Sequence, residues 1–310
     1  MNATVAPTAS AVGRGVRDSS RRPGFGRLGV RAFFLGPFYI LFALLYVLPI
    51  GYAIVQSLFV VERSGGVFGT VSSRFDGLTQ YGRVLTDAEF LQGLGRVGVY
   101  ALIQVPTMTA LAVAIALLLA TTARRAAVVI RSIVFLPYAV PTVIAGIMWA
   151  SLYQPATSPL DQMGIHIPWL GGQMILISIA NIGLWAWTGF NVLVMVSALT
   201  SIPPEIIEAA RIDGASEFRI AMSIKLPLIV PTIVMTSLFT MIGTLQLFSE
   251  PTILRSISTA ITSGFTPNML ALSAASGNSY SYAAAISVTL AVITVLLSIG
   301  LFRIIRKVGQ

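Results

Sequence analysis

The sequence predicts an all-α, polytopic membrane protein with six transmembrane helices, and three observations predict it. Of the 310 residues, 55% are hydrophobic and only 10% charged, against roughly a quarter charged in an average soluble domain. The apolar residues are gathered into six blocks, 33–59, 97–120, 133–152, 174–199, 226–248 and 282–302, and none of these contains Asp, Glu, Lys or Arg. The basic residues concentrate in alternate connections between those blocks. At about 1.5 Å per residue, a helix of about 20 residues covers the roughly 30 Å of bilayer hydrocarbon. Each block is that long. A buried core helix can be uncharged for about 10–14 residues, but not six times over at this length.

In chain order, residues 1–30 come first, rich in Ala, Ser, Gly and Arg with little periodicity, and are expected to form a disordered tail. The block at 33–59 is too long for the apolar core of a signal peptide and has no small-residue cleavage site close behind it. It is therefore expected as a retained first span. The second span carries Ala112, Ala116 and Ala120, a ridge of small residues suited to close helix packing. The third opens on Leu136, Pro137 and Tyr138, and the fourth carries Trp187 and Asn191 four residues apart on one face. Proline at Pro227 and Pro231 fits the first turns of the fifth span. The sixth span follows at 282–302, with residues 31–310 forming the membrane domain.

Charge placement gives the orientation. Arg14, Arg17, Arg21, Arg22, Arg27 and Arg31 precede the first span; Arg124, Arg125 and Arg131 lie between the second and third; Arg211, Arg219 and Lys225 lie between the fourth and fifth; Arg303, Arg306 and Lys307 follow the sixth. Arg63, Arg74, Arg83, Arg96 and Arg255 occupy the other side. By the positive-inside rule both termini are expected in the cytoplasm. The net charge of +9 is thus topogenic, and no nucleic-acid partner is expected.

Several chemistries drop out. Gly24, Gly26 and Gly29 match a dinucleotide fingerprint, but an Arg-rich tail precedes them instead of a strand. The only lysines are Lys225 and Lys307, so there is no Gly-Lys-Ser/Thr phosphate loop and no ATP hydrolysis by that chemistry in this chain. Cysteine is absent, and the one histidine, His166, has only Asp161 nearby in sequence, which does not make a metal site. No catalytic residue and no bound cofactor or metal is expected. A proton-coupled carrier usually keeps ionisable groups inside the membrane. The six blocks contain none, and Glu250 stands just beyond the fifth, as compatible with a water-exposed interface as with function.

The most informative stretch is the loop at 201–225. Pro204 suits the first turn of a helix, and Gly214 can take the left-handed conformation that ends one after Asp213. Ten residues make about 15 Å, half a membrane thickness. Ile206, Ala209 and Ala210 share a face of that short helix. Ser216 can cap a second short helix reaching Lys225. The expected product is two short helices meeting at a glycine turn. A helix merely resting on lipid would need neither the turn nor acidic side chains facing anionic headgroups.

Glu208-Ala209-Ala210, then Asp213-Gly214-Ala215, Phe218, and Leu226-Pro227 running to Pro231 closely resemble the EAA loop of permease subunits of ATP-binding cassette importers. Further resemblance in Phe135 to Pro141, Gln246-Leu247-Phe248-Ser249-Glu250-Pro251 and Tyr280 to Ala285 points to the carbohydrate-uptake, maltose-type branch. What the resemblance implies is a type I importer transmembrane domain whose loop couples to an ATPase subunit through Glu208, Ala209, Ala210, Asp213, Gly214 and Ala215. It also implies a second permease, usually a different chain; two ATPase subunits that bind ATP and Mg; an external solute-binding protein; and the cell membrane of a bacterium or archaeon. For the sugar path the candidates are Trp187, Asn191, Gln246 and Tyr138: an aromatic plane packs on sugar C–H groups, and an amide both donates to and accepts from hydroxyls. The same residues would also serve for packing alone. The alternatives are a permease of this family for another solute such as glycerol phosphate, or an ATP-independent facilitator.

Overall fold

The computed structural model describes residues 25–64 and 70–308. Residues 1–24 of the expected tail lie outside the described residues. From Phe25 the backbone is already helical, so the expectation of disorder up to residue 30 is corrected there. Extending an apolar helix backwards adds one hydrogen bond per residue without a new nucleation cost.

The chain divides into two units, Met1–Tyr52 and Ala53–Gln310. In the first, α1 (Phe25–Phe42) passes through a wide turn at Ala43–Val47 into α2 (Leu48–Ser57), which runs on past the boundary. Leu48 N–H donates back to the Ala43 carbonyl, five residues away, just ahead of Pro49, which has no N–H to offer. Phe38, Phe42 and Tyr46 stack along one face at 6.0 and 5.5 Å.

In the second unit, β1 (Phe59–Ser64) and β2 (Thr70–Phe75) pair antiparallel with Phe59 opposite Phe75. After α3 (Thr79–Thr86), Asp87 caps α4 (Ala88–Thr121) by accepting from the Glu89 N–H at 2.8 Å. That cap explains why the second span starts nine residues before its uncharged block. The expected third span is broken. It consists of α5 (Arg124–Phe135), a tight turn at Leu136–Ala139 and α6 (Thr142–Tyr153), bent by 94°. Pro137 and Pro141 remove two successive chances to continue the helix.

A short α7 (Pro159–Gln162) leads to α8 (Ile175–Thr200), followed by α9 (Pro204–Ile212), α10 (Glu217–Ile220), a wide turn at Ala221–Lys225 and α11 (Leu226–Leu228). The fifth span is also interrupted, into α12 (Val230–Leu245) and α13 (Ser249–Leu254). Then come α14 (Pro267–Ser276) and α15 (Tyr280–Val308). Among the described residues, five helices are long and apolar enough to cross a membrane, or six with the bent α5–α6 pair counted as one span.

Contacts decide how that pair should be counted. Gln104 meets Gly183 and Met108 meets Asn191, so α4 and α8 run in the same direction. Two parallel spans need one return crossing between them, and α5–α6 is the only apolar segment available to make it. Thr109 bonds Ser237 at 3.0 Å while Met108 meets Thr240, so α12 runs the opposite way. The core has three parts. Ala112, Ala116, Val192, Met195 and Leu199 pack where α4 and α8 end. Tyr153, Ile179, Leu254 and Phe265 belong to a second cluster, and Val84, Phe90, Tyr282 and Ile286 to a third. Ala112 and Ala116 are fully buried as a packing ridge, whereas Ala120 is exposed.

Candidate functional site

A cavity of about 350 Å³ opens between α4, α8, α12 and α13, at the small end of the ligand-pocket range of about 300–1,000 Å³. Tyr100, Gln104 and Met108 enter it from successive turns of α4, since every fourth residue returns to one helix face. From α8 come Trp187, Phe190 and Asn191; from α12, Phe239, Thr240 and Thr244. The break between α12 and α13 supplies Gln246 and Phe248, and the first turn of α13 supplies Ser249 and Glu250. Discontinuous helices commonly frame transporter sites, because the interruption turns polar groups towards a cavity.

Of the four sequence candidates, Trp187, Asn191 and Gln246 line this cavity. Tyr138 does not, but its ring meets Trp187 edge-on at 5.5 Å and stacks on Phe190 at 5.3 Å, so it braces the wall from behind. Gly189 makes that brace geometrically feasible. A Cβ there would collide with the Val134 carbonyl oxygen and approach Phe135 Cα to 2.8 Å, so only glycine lets the bent third span cross α8 this closely. Asn191 is partly committed: its amide donates to Met108 Sδ at 3.0 Å and weakly to the Trp187 carbonyl at 3.4 Å. Trp187, 42% exposed, and Gln246, also exposed, are freer to meet a solute. Gln104, oriented as its partners require, donates to the Ala180 carbonyl at 3.0 Å and accepts from Leu184 N–H at 3.2 Å.

Tyr100, Gln104, Met108, Thr240 and Glu250 are lining residues that the sequence candidates omit. The every-fourth-residue line on α4 was the available signal, because it continues into Ala112 and Ala116. Glu250 is buried at 8% exposure, not set at a water-facing edge.

The second candidate surface is the α9–α10 hairpin. Gly214 has φ +77°, Ala215 N–H donates to the Ala210 carbonyl at 3.0 Å, and Asp213 N–H to Ala209 at 3.0 Å, the closed ending that a left-handed glycine allows. Ser216 caps α10 by accepting from Arg219 N–H. Arg211 Nε donates to Glu217 at 2.7 Å across the turn. That bond holds the Glu217 carboxyl below its ordinary value and raises the Arg211 guanidinium above its own. Glu208, Ala209, Asp213 and Gly214 are exposed, while Ala210 and Ala215 are half-buried. Ile212 and Phe218 stand bare at 86% and 74% exposure, so the hairpin offers apolar knuckles flanked by carboxylates. His166 pairs with Asp161 at 2.7 Å, and its hydrogen bond lowers the Asp161 carboxyl. Among the described residues no cluster of three metal-ligating side chains occurs.

Residues 110–310, well over half the chain, match the family of binding-protein-dependent transport system inner membrane components. The chain belongs to that family. It is 30% identical over 233 residues to the diacetylchitobiose uptake system permease protein NgcF of Streptomyces coelicolor, covering 70% of this chain and 65% of that protein. It is 33% identical over 186 residues to the sn-glycerol-3-phosphate transport system permease protein UgpA of Agrobacterium fabrum, covering 57% and 61%. The matched stretch thus spans less than two thirds of either relative. Among solved structures, a chain of the bacterial alginate ABC transporter in complex with an alginate pentasaccharide-bound periplasmic protein has the same fold: TM-score 0.78 at 19% identity, over 92% of this chain and 96% of that one. The family is one of multi-pass transport components, as the apolar spans require.

Proposed function

We propose that this chain is the membrane permease subunit of an ATP-driven sugar importer, providing half of a translocation path. The observation that carries this reading is the cavity between membrane spans, walled by Trp187, Phe190 and Tyr100 with Gln246, Thr240 and Ser249 as hydrogen-bonding groups. Aromatic faces and neutral donors and acceptors are what a polyhydroxylated solute needs to exchange for water. Similarity to a diacetylchitobiose permease and to an alginate importer chain supports a saccharide.

The exposed hairpin at Pro204–Ile212 and Glu217–Ile220 is the proposed coupling element. Ile212 and Phe218 dock into a cleft of an ATPase subunit, Glu208 and Asp213 meet basic groups around it, and ATP with Mg resides in that partner. The positive-inside distribution supports a cytoplasmic position for this hairpin and for both termini, in a bacterial or archaeal cell membrane. A second permease, two ATPase subunits and an extracytoplasmic solute-binding protein complete the assembly. Closure of the ATPase pair draws the hairpins together and rocks the spans, giving alternating access.

The test is uptake into liposomes by the complete transporter, with Glu208→Ala combined with Gly214→Pro. Proline cannot take the positive φ of Gly214, so uptake is expected to be abolished while membrane insertion persists. Undiminished uptake refutes the coupling role. Uptake by this chain alone, without ATP, favours a facilitator.

A further inference from the structure

Among the described residues, Glu250 is the one carboxylate in the cavity wall, and no Arg, Lys or His lines it. The residue lies in the first turn of α13, directly after the break from α12, and is buried. No ion pair among the described residues includes it. An ionisable group within a membrane domain is costly to keep and marks a solute path by default.

Its consequences for a solute differ by charge. A carboxylated or phosphorylated sugar entering the cavity meets a like charge where the dielectric is low and repulsion strong. If the Glu250 carboxyl takes up a proton, the anion still finds no cation to replace the water it lost. An uncharged sugar instead offers hydroxyls that donate to the carboxylate, and an amino sugar offers an ammonium that pairs with it. Likeness to other proteins does not settle the point. The relatives described above include one named for glycerol 3-phosphate, an anion, and one named for diacetylchitobiose, a neutral sugar.

We propose that Glu250 is a specificity-determining residue that sets the charge class of the cargo: neutral and amino-bearing sugars are accepted, and uronic acids and sugar phosphates are rejected. For the identity of the cargo as a sugar, the inference rests on the permease reading proposed above. The charge filter itself can be read without any sugar.

The chain contains no cysteine, so Gln246→Cys places a single thiol on the exposed cavity wall. In the complete transporter, modification of this chain by a cationic and an anionic methanethiosulfonate reagent is followed by mass spectrometry, and the rate ratio is normalised to free thiol in solution. With Glu250 present, the normalised ratio is expected to favour the cation by about tenfold. Glu250→Gln, which preserves shape, should bring it to near unity, and Glu250→Lys should reverse it. An unchanged ratio in both variants overturns the proposal. Glucose, glucosamine, glucuronate and glucose 6-phosphate are then tested for protection of the same thiol. Slowing by the first two only, extended to glucuronate by Glu250→Gln, is expected; equal protection by all four in the unsubstituted wall overturns the filter. Protection by none, with the rate ratio intact, refutes the sugar reading and leaves the electrostatic one standing.

Discussion

The α9–α10 hairpin and the cavity are built by opposite means. In the hairpin, the hydrogen bonds that close the turn are all local, Ala215 to Ala210, Arg219 to Ser216, and Arg211 to Glu217, six residues apart, while Ile220 at its end is buried. In the cavity, Asn191 reaches Met108 across 83 residues and Thr240 reaches it across 132. A locally closed hairpin keeps its shape whether or not its neighbours move, and can expose Ile212 and Phe218 without losing that shape. The cavity exists only while α4, α8 and α12 are held together. On the proposed function, the part that would transmit force and the part that would open and close fall on the two sides of this division.

The largest expected effect breaks the long-range side. Gly189→Ala drives a Cβ into the Val134 carbonyl and should cost about 1–3 kcal/mol by overpacking. Gly243→Ala, in a helix with nothing within 4 Å of the added carbon, should be close to neutral. Thermal unfolding of the two variants in detergent checks this, and equal midpoints would mean that the crossing at Gly189 is not tight.

Gly214→Val should act on the local side alone. A non-glycine residue at φ +77° costs about 1–2 kcal/mol. Amide exchange should quicken around Asp213 and Ala215, ATP-driven uptake should fall, and the unfolding midpoint of the bundle should not move. A lowered midpoint would show that the hairpin is not autonomous.

Trp187→Ala removes a cavity plane that is partly exposed. A loss of about 1.4 kcal/mol of solute contact would lower sugar uptake about tenfold, with amide exchange in the hairpin unaltered. Unchanged uptake would return Trp187 to a packing role.

The smallest effect is in pH. The folded Glu217 carboxyl titrates below its ordinary value because Arg211 donates to it. Its contribution is fully present above the ordinary carboxylate value and is lost as pH falls through the depressed one. Exchange protection of the hairpin should be flat from pH 8 to about pH 5 and weaken only in more acid solution. A transition near neutrality would implicate another group.

The same division explains what was legible in the sequence. Pro204, Gly214 and Ser216 announce the hairpin because each sets its own backbone, and helix and turn fall within a residue of expectation. The six apolar blocks are equally plain, since lipid demands them. The 94° break of the third span was not read, although Pro137 and Pro141 were in view, because prolines in a first turn look alike whether or not the helix before them continues. Trp187, Asn191 and Gln246 stood out as polar or aromatic interruptions. Tyr100 and Gln104 did not, since their meaning depends on which helix they face. Glu250, just beyond a block, was left open between a water-exposed interface and function, and only its burial in the first turn of α13, after the break, decides against exposure.

On α4, Tyr100, Gln104, Met108, Ala112 and Ala116 share a face, with long side chains at one end and two alanines, buried in a cluster shared with α8, at the other. The end with the long side chains is packed too, because α8 answers it with Gly183, where an added Cβ would meet the Gln104 amide and the Tyr100 hydroxyl. Bulk on one helix thus meets its lack on the other at both ends of the seam, glycine on α8 beside the chamber that Trp187 and Gln246 face and alanines on α4 at the far end.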